Sequence, residues 1–132
     1  MADKIEPQNL QVTLYNWGPC VVKFKIKDDF HQKLLEESKL TTGDFSHQLA
    51  GQLNKELGFN TESKNRLLPY LSAYLGAYDD VYERFQNKKY EKKPEYFMSA
   101  MWINYQRQYD FNPPHDHDGK LSFVVYLNIP EE

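Results

Sequence analysis

Trp102–Pro130, WINYQRQYDFNPPHDHDGKLSFVVYLNIP, is the stretch on which the reading of this chain turns. It divides into a strand, a turn rich in histidine and aspartate, and a second strand. Alternate side chains of a strand face opposite sides. From Met98 to Phe111 the odd positions are Met101, Ile103, Tyr105, Arg107, Tyr109 and Phe111, mostly apolar or aromatic. The even positions include Trp102, Asn104, Gln106 and Gln108. In the second strand Leu121, Phe123, Val125, Leu127 and Ile129 form a continuous apolar face, and Ser122, Val124, Tyr126 and Asn128 a mixed one. Each strand offers one face to a core and one bearing amide or hydroxyl groups, as a pocket with apolar walls requires.

Between the strands lies Asn112-Pro113-Pro114-His115-Asp116-His117-Asp118-Gly119. Pro114 biases Pro113 towards an extended conformation. In extended backbone His115 and His117 point to one side, and Asp116 and Asp118 to the other. Two imidazoles so placed can share one metal ion, and imidazole suits iron, zinc, copper or nickel. The aspartates can orient the rings through hydrogen bonds, or one can replace a histidine as ligand. Asn112 stands where it can brace the turn. The competing reading is a polar hairpin turn with coincidental histidines.

Working outward, residues 9–27 read as two strands joined at Asn16-Trp17-Gly18-Pro19. Val22, Phe24 and Ile26 fall on one face, with Lys23, Lys25 and Lys27 opposite, the alternation of a strand with one wet face. Asp28 or Asp29 is expected to cap a helix running to about Leu40. Leu49, Leu53 and Leu57 recur every four residues, which predicts a shorter helix over Phe45–Leu57, stopped by Gly58. The strongest helical pattern is Leu67–Phe85, with Leu67, Leu71, Tyr74, Tyr78, Tyr82 and Phe85 on one broad stripe. Pro69 suits a first turn, so this helix is expected to start near Asn65. Its tyrosines read as a packing face rather than a ligand groove. His31 and His47 read as ordinary helical residues.

Composition narrows the functional classes. The chain has 132 residues, enough for one domain with one core, and a net charge of −3. Residues 1–95 are assigned to N-terminal strands and helices, and 96–132 to the strands around the histidine turn. Lysine and arginine are dispersed, apart from a knot at Lys88, Lys89, Lys92 and Lys93 that reads as a solvated loop. No charge field selects nucleic acid or an anionic membrane. No stretch is apolar enough to span a bilayer, and none resembles a signal peptide, so a cytoplasmic location is expected. Cys20 is the single cysteine, which excludes an internal disulfide and a cysteine-rich zinc site.

The whole pattern is more specific than its histidines. Trp102-x-Asn104-x-Gln106, then Asn112-Pro113-Pro114-His115-x-His117, then Leu121-Ser122-x-Val124-x-Tyr126-Leu127-x-Ile129-Pro130 resembles a branch of the 2-oxoglutarate- and iron(II)-dependent oxygenases frequent in bacteriophages and marine bacteria. The resemblance covers about the last thirty residues closely. It implies an α+β chain built on a double-stranded β-helix (a jelly roll of cupin type) with supporting N-terminal helices. It implies Fe(II), 2-oxoglutarate and O2 as cofactor and cosubstrates, and a host-cytoplasmic location if the gene is a phage's. His115 takes the place of the first iron ligand, and His117 that of the second, where most of the superfamily has aspartate. Asn104, Gln106, Ser122 and Tyr126 follow, by strand parity, as candidates for cosubstrate contacts.

Two departures from the family pattern stand out. Phe123 and Val125 replace a glycine and a tyrosine of many relatives' second strand. The superfamily also draws a further histidine, and an arginine or lysine that pairs with the cosubstrate carboxylate, from strands later than Pro130. The expectation is half of a dioxygenase site acting on an unidentified substrate, with the fold completed by a further segment or by self-association. The alternative is a non-catalytic interaction module with a degenerate oxygenase fold.

Overall fold

The computed structural model describes residues 10–15, 18–41 and 55–131. Among these the chain is α+β, with two two-stranded antiparallel sheets and two helices. The elements in order are β1 (Val12–Tyr15), β2 (Val21–Phe24), α1 (Asp28–Ser38), β3 (Lys55–Gly58), α2 (Thr61–Gln86) and β4 (Trp102–Tyr105). β1 pairs with β2, Val12 facing Phe24 and Tyr15 facing Val21. β3 pairs with β4, Lys55 facing Tyr105 and Gly58 facing Trp102. The described strands form two separate ribbons and no closed jelly roll. No helix among the described residues is long and apolar enough to cross a membrane.

The first ribbon follows the expected alternation. Val22, Phe24 and Ile26 are half-buried while Lys23, Lys25 and Lys27 are exposed. Gly18 and Pro19 stand in its connection; Asn16 and Trp17 lie outside the described residues. α1 begins one residue earlier than a side-chain cap would place it. Lys27 is the N-cap and supplies no side-chain bond, so Asp28 and Asp29 sit within the first turn. There their negative charge complements the positive end of the helix dipole.

α2 organises the core. Leu67, Leu71, Tyr74 and Ala77 are buried on one side of it, against Phe30 and Leu34 of α1 and against Leu10 and Phe59. Tyr74 is the hub. Its ring meets Phe24 edge-on at 5.4 Å and Phe30 at 5.5 Å, and its hydroxyl accepts the Lys27 backbone N–H at 2.9 Å. Burial pushes the Tyr74 phenol above its usual range. The helix starts four residues before Asn65, because Asn60 caps it by accepting the Ser63 backbone N–H at 2.8 Å. Pro69 therefore lies inside the helix rather than in its first turn. Pro69 and Asn65, whose carbonyl loses a donor, are both exposed, where water can take the place of that donor. Asn87, in the left-handed conformation with φ 52°, ends the helix.

Beyond α2 the chain returns along the helix. Tyr96 donates its hydroxyl proton to the buried carboxylate of Asp79, and Lys93 bridges Asp80 at 3.0 Å and Glu83 at 2.7 Å. Lys88, Lys89 and Lys92 are exposed, as a solvated loop should be, whereas Lys93 works as a strap. The predicted helix over Phe45–Leu57 fails at its end, since Lys55–Gly58 is strand β3 and Gly58 is within the ladder. Residues 42–54, with His47, lie outside the described residues. The expected strand Met98–Phe111 is regular only over Trp102–Tyr105. Beyond it a turn forms at Arg107–Asp110, with Tyr109 at φ 73°.

One buried polar cluster joins the two helices. The Glu37 carboxylate, 2% exposed, receives Arg66 Nε at 2.6 Å, Arg66 Nη2 at 2.9 Å and Ser63 Oγ at 2.7 Å. The guanidinium holds the Glu37 carboxyl well below the usual range, at about 2. A depressed carboxyl value stabilises the fold fully above the unfolded value of about 4.3 and loses that contribution as pH falls towards the folded value. Glu37→Ala should cost about 2–3 kcal/mol, because it strands the buried Ser63 hydroxyl and breaks two charge-assisted bonds. Urea melts of both proteins at pH 7 and pH 2.5 should show that gap closing in acid; an equal gap at both would contradict the assignment.

Candidate metal centre

The site grows out of β4 and the turn that follows it. Phe59 N–H donates to the Met101 carbonyl at 3.0 Å, extending the β3–β4 ladder to the start of α2. In an antiparallel pair, residues directly opposite share a face. Leu57 and Ile103 therefore lie together, and Ile103 packs on the core. Glu56 with Asn104, and Gly58 with Trp102, occupy the other face. The even parity expected to carry polar groups is thus the face turned away from the main core.

After β4 the chain reverses at Arg107–Asp110. Arg107 N–H donates to the Asp110 carboxylate at 2.9 Å, and Asp110 N–H to the Arg107 carbonyl at 3.1 Å. The hydrogen bonds that brace this reversal come from Asp110, and Asn112, at the start of the histidine turn, is exposed. Pro113 is half-buried and leads into the histidines. His115 Nδ1 lies 2.7 Å from the Pro113 carbonyl. A carbonyl oxygen can only accept, so Nδ1 carries a proton, and a neutral ring would then hold its lone pair at Nε2. His115 Nε2 lies 3.0 Å from His117 Nε2, with ring centroids 4.6 Å apart. Trp102 reaches across from β4, its ring 5.7 Å from that of His117 and inclined by 33°.

The spacing of the two nitrogens tests whether they suit a metal ion. Imidazole binds divalent transition metals at about 2.0–2.1 Å. Two nitrogens 3.0 Å apart at that bond length subtend roughly 95° at the metal. That is close to the cis angle of octahedral coordination and well below the tetrahedral angle. The separation by itself therefore matches two adjacent positions on an octahedral ion. No group of three histidine, cysteine, aspartate or glutamate residues converges among the described residues. Asp116 and Asp118 are exposed and do not complete a three-ligand set.

The polar candidates are more scattered. Asn104 shares the face of β4 that brings Trp102 to His117, although it is exposed. Gln106 lies past the end of β4. Ser122 and Tyr126 are exposed on an extended segment with no ladder partner among the described residues. That segment keeps its expected parity where it touches the core, with Val125 and Leu127 packed inward and Val124 and Tyr126 outward. No hydrogen bond joins Asn104, Gln106, Ser122 or Tyr126 to either histidine. Two clefts lie along α2 and the returning segment, and neither is lined by a residue of the histidine turn.

Three contributions were not evident from spacing: Trp102 against His117, Asp110 closing the Arg107–Asp110 reversal, and His31. His31 Nε2 lies 2.9 Å from the Leu127 carbonyl and ties α1 to the final segment across 96 positions of sequence. Cys20 is half-buried, and burial raises its thiol above the usual range, which suits a packing residue better than a nucleophile. No family profile, curated protein or solved structure matches this chain.

His31→Leu should leave the Leu127 carbonyl without its side-chain donor and loosen the last segment by about 1 kcal/mol. Limited proteolysis between Phe123 and Tyr126 should accelerate about five-fold while the global melting temperature shifts by only a few degrees. Unchanged cleavage would show that apolar packing of Val125 and Leu127 suffices to hold the segment.

Proposed function

We propose that this chain carries the metal-binding histidine pair of a 2-oxoglutarate- and iron(II)-dependent dioxygenase of the double-stranded β-helix class, oxidising a C–H bond of an unidentified substrate. The observation that carries the proposal is the 3.0 Å separation of His115 Nε2 and His117 Nε2, inside the motif Asn112-Pro113-Pro114-His115-x-His117. His115 and His117 would hold Fe(II). The iron, 2-oxoglutarate and O2 together supply the oxidising power for an unactivated C–H bond. The chain's own residues bind and orient. The Pro113 carbonyl fixes the His115 ring through its Nδ1 proton. Asn104 and Gln106 offer amide donors, and Ser122 and Tyr126 hydroxyl donors, of the kind that recognise the carboxylate and keto oxygens of 2-oxoglutarate.

A second reading is favoured by a separate observation. The last segment exposes Val124 at 78%, Tyr126 at 76% and Ile129 at 69%, and Phe97 and Tyr109 are also open to solvent. Together with the absence of a third ligand among the described residues, this supports an interaction module in which the metal pair is a remnant.

Anaerobic titration of Fe(II) in the presence of 2-oxoglutarate separates the readings. A dioxygenase site should develop a weak visible charge-transfer band that His115→Ala abolishes. A protein that retains no iron and gives no band, or a band that survives His115→Ala, would overturn the enzymatic proposal. Addition of O2 to the complex should then bleach the band as 2-oxoglutarate is consumed.

A further inference from the structure

His115 and His117 are held by different means. His115 is fixed through its own backbone neighbourhood, by the 2.7 Å bond from Nδ1 to the Pro113 carbonyl. His117 has no such bond. Among the described residues its ring meets only His115 and Trp102. Both histidines are exposed, as are their neighbours Asp116 and Asp118. An exposed side chain on an irregular segment samples several rotamers unless something restrains it. Besides the contact with His115, which is itself exposed, His117 has the half-buried indole of Trp102 as a restraint.

Trp102 is well placed for that task. It stands in β4, the part of this region with a backbone ladder, and is paired with Gly58 of β3. Gly58 adds no side chain on the face they share, so the indole meets no side chain directly across the ladder and is carried by a regular element. Its ring centre lies 5.7 Å from that of His117, tilted by 33°. A metal-bound imidazole gains positive charge, and an indole face within about 6 Å of a cation attracts it. The contact thus orders the ring before binding and favours its charged form afterwards.

We infer that Trp102 is a positioning residue that holds His117 in its metal-ligating orientation, so that β4 transmits the rigidity of the fold to an otherwise exposed ligand. The inference rests on the metal reading of the histidine pair.

The test has one arm without metal and one with it. In the metal-free protein, nuclear Overhauser contacts should link the indole protons of Trp102 to the ring protons of His117, identified by comparison with His117→Gln. The His117 ring signals should also move downfield in Trp102→Leu as the ring-current shift is lost. Absence of those contacts overturns the inference. Calorimetric titration with Co(II) should then show Trp102→Leu binding about 10-fold more weakly and Trp102→Phe recovering most of the affinity, the magnitude typical of groups that orient a metal ligand. Equal Co(II) affinity in wild type and Trp102→Leu also overturns it. If the indole–imidazole contact is present but wild type takes up no Co(II), the metal reading itself fails and the assigned role falls with it. Should Trp102→Leu fail to fold, Trp102→Phe and the wild-type contacts still decide, because a contact that is absent or does not involve the indole face refutes the inference.

Discussion

The Glu37 carboxylate is the interaction from which the rest of the structure hangs. It is nearly inaccessible to water, and an unpaired charge there would be costly. Arg66 and Ser63 satisfy it, and both belong to the first turns of α2. The cluster therefore fixes α1 against the beginning of α2. That position in turn sets Asn60 and Phe59, just past β3, and the Phe59 N–H bond to Met101 sets β4. Trp102 follows Met101 directly. An ion pair between two helices, its carboxylate buried and its guanidinium exposed, thus lies upstream of the ring that restrains His117, through a continuous sequence of named bonds.

Local pattern revealed some of this and concealed the rest. The α2 stripe was readable because it repeats over several turns, so a few exceptions do not obscure it. Its start was not readable. Asn60 precedes a polar first turn, and Pro69, which usually marks a beginning, sits on an exposed face where water can take the place of the lost donor. β3 was misread because Leu49, Leu53 and Leu57 are spaced as on a helix, whereas Lys55–Gly58 is decided by pairing with β4, over forty positions away. Such non-local pairing leaves little trace in a window of neighbouring residues. The early end of β4 had a local signal, Asp110, whose short carboxylate can close a turn on the Arg107 amide.

The histidine turn shows the same division. That His115 and His117 share a side follows from their spacing and from the prolines before them. The Pro113 carbonyl bond, which chooses the tautomer of His115, depends on the actual path of the backbone. Trp102 was placed on the correct face by parity, but its meeting with His117 depends on how the Arg107–Asp110 reversal brings the turn back over β4. Asn104 shares the face of Trp102 by the same parity. Gln106 does not, since the ladder has ended before it.

On the proposed metal reading, the tautomers of the pair set what binding must accomplish. A neutral His115 with its proton on Nδ1 accepts at Nε2, and His117 then donates from Nε2 across the 3.0 Å gap. A metal ion needs lone pairs on both Nε2 atoms. His117 must therefore move its proton to Nδ1, or release it, while His115 changes nothing. The two ligands are unequal in the work of binding, although their spacing already matches adjacent positions on an octahedral ion. The ring that must change tautomer is also the one without a backbone anchor, and it rests against an indole that constrains its plane without competing for either nitrogen. The indole keeps the ring in place without hydrogen-bonding to either nitrogen, so it leaves the tautomer of His117 to the contact with His115.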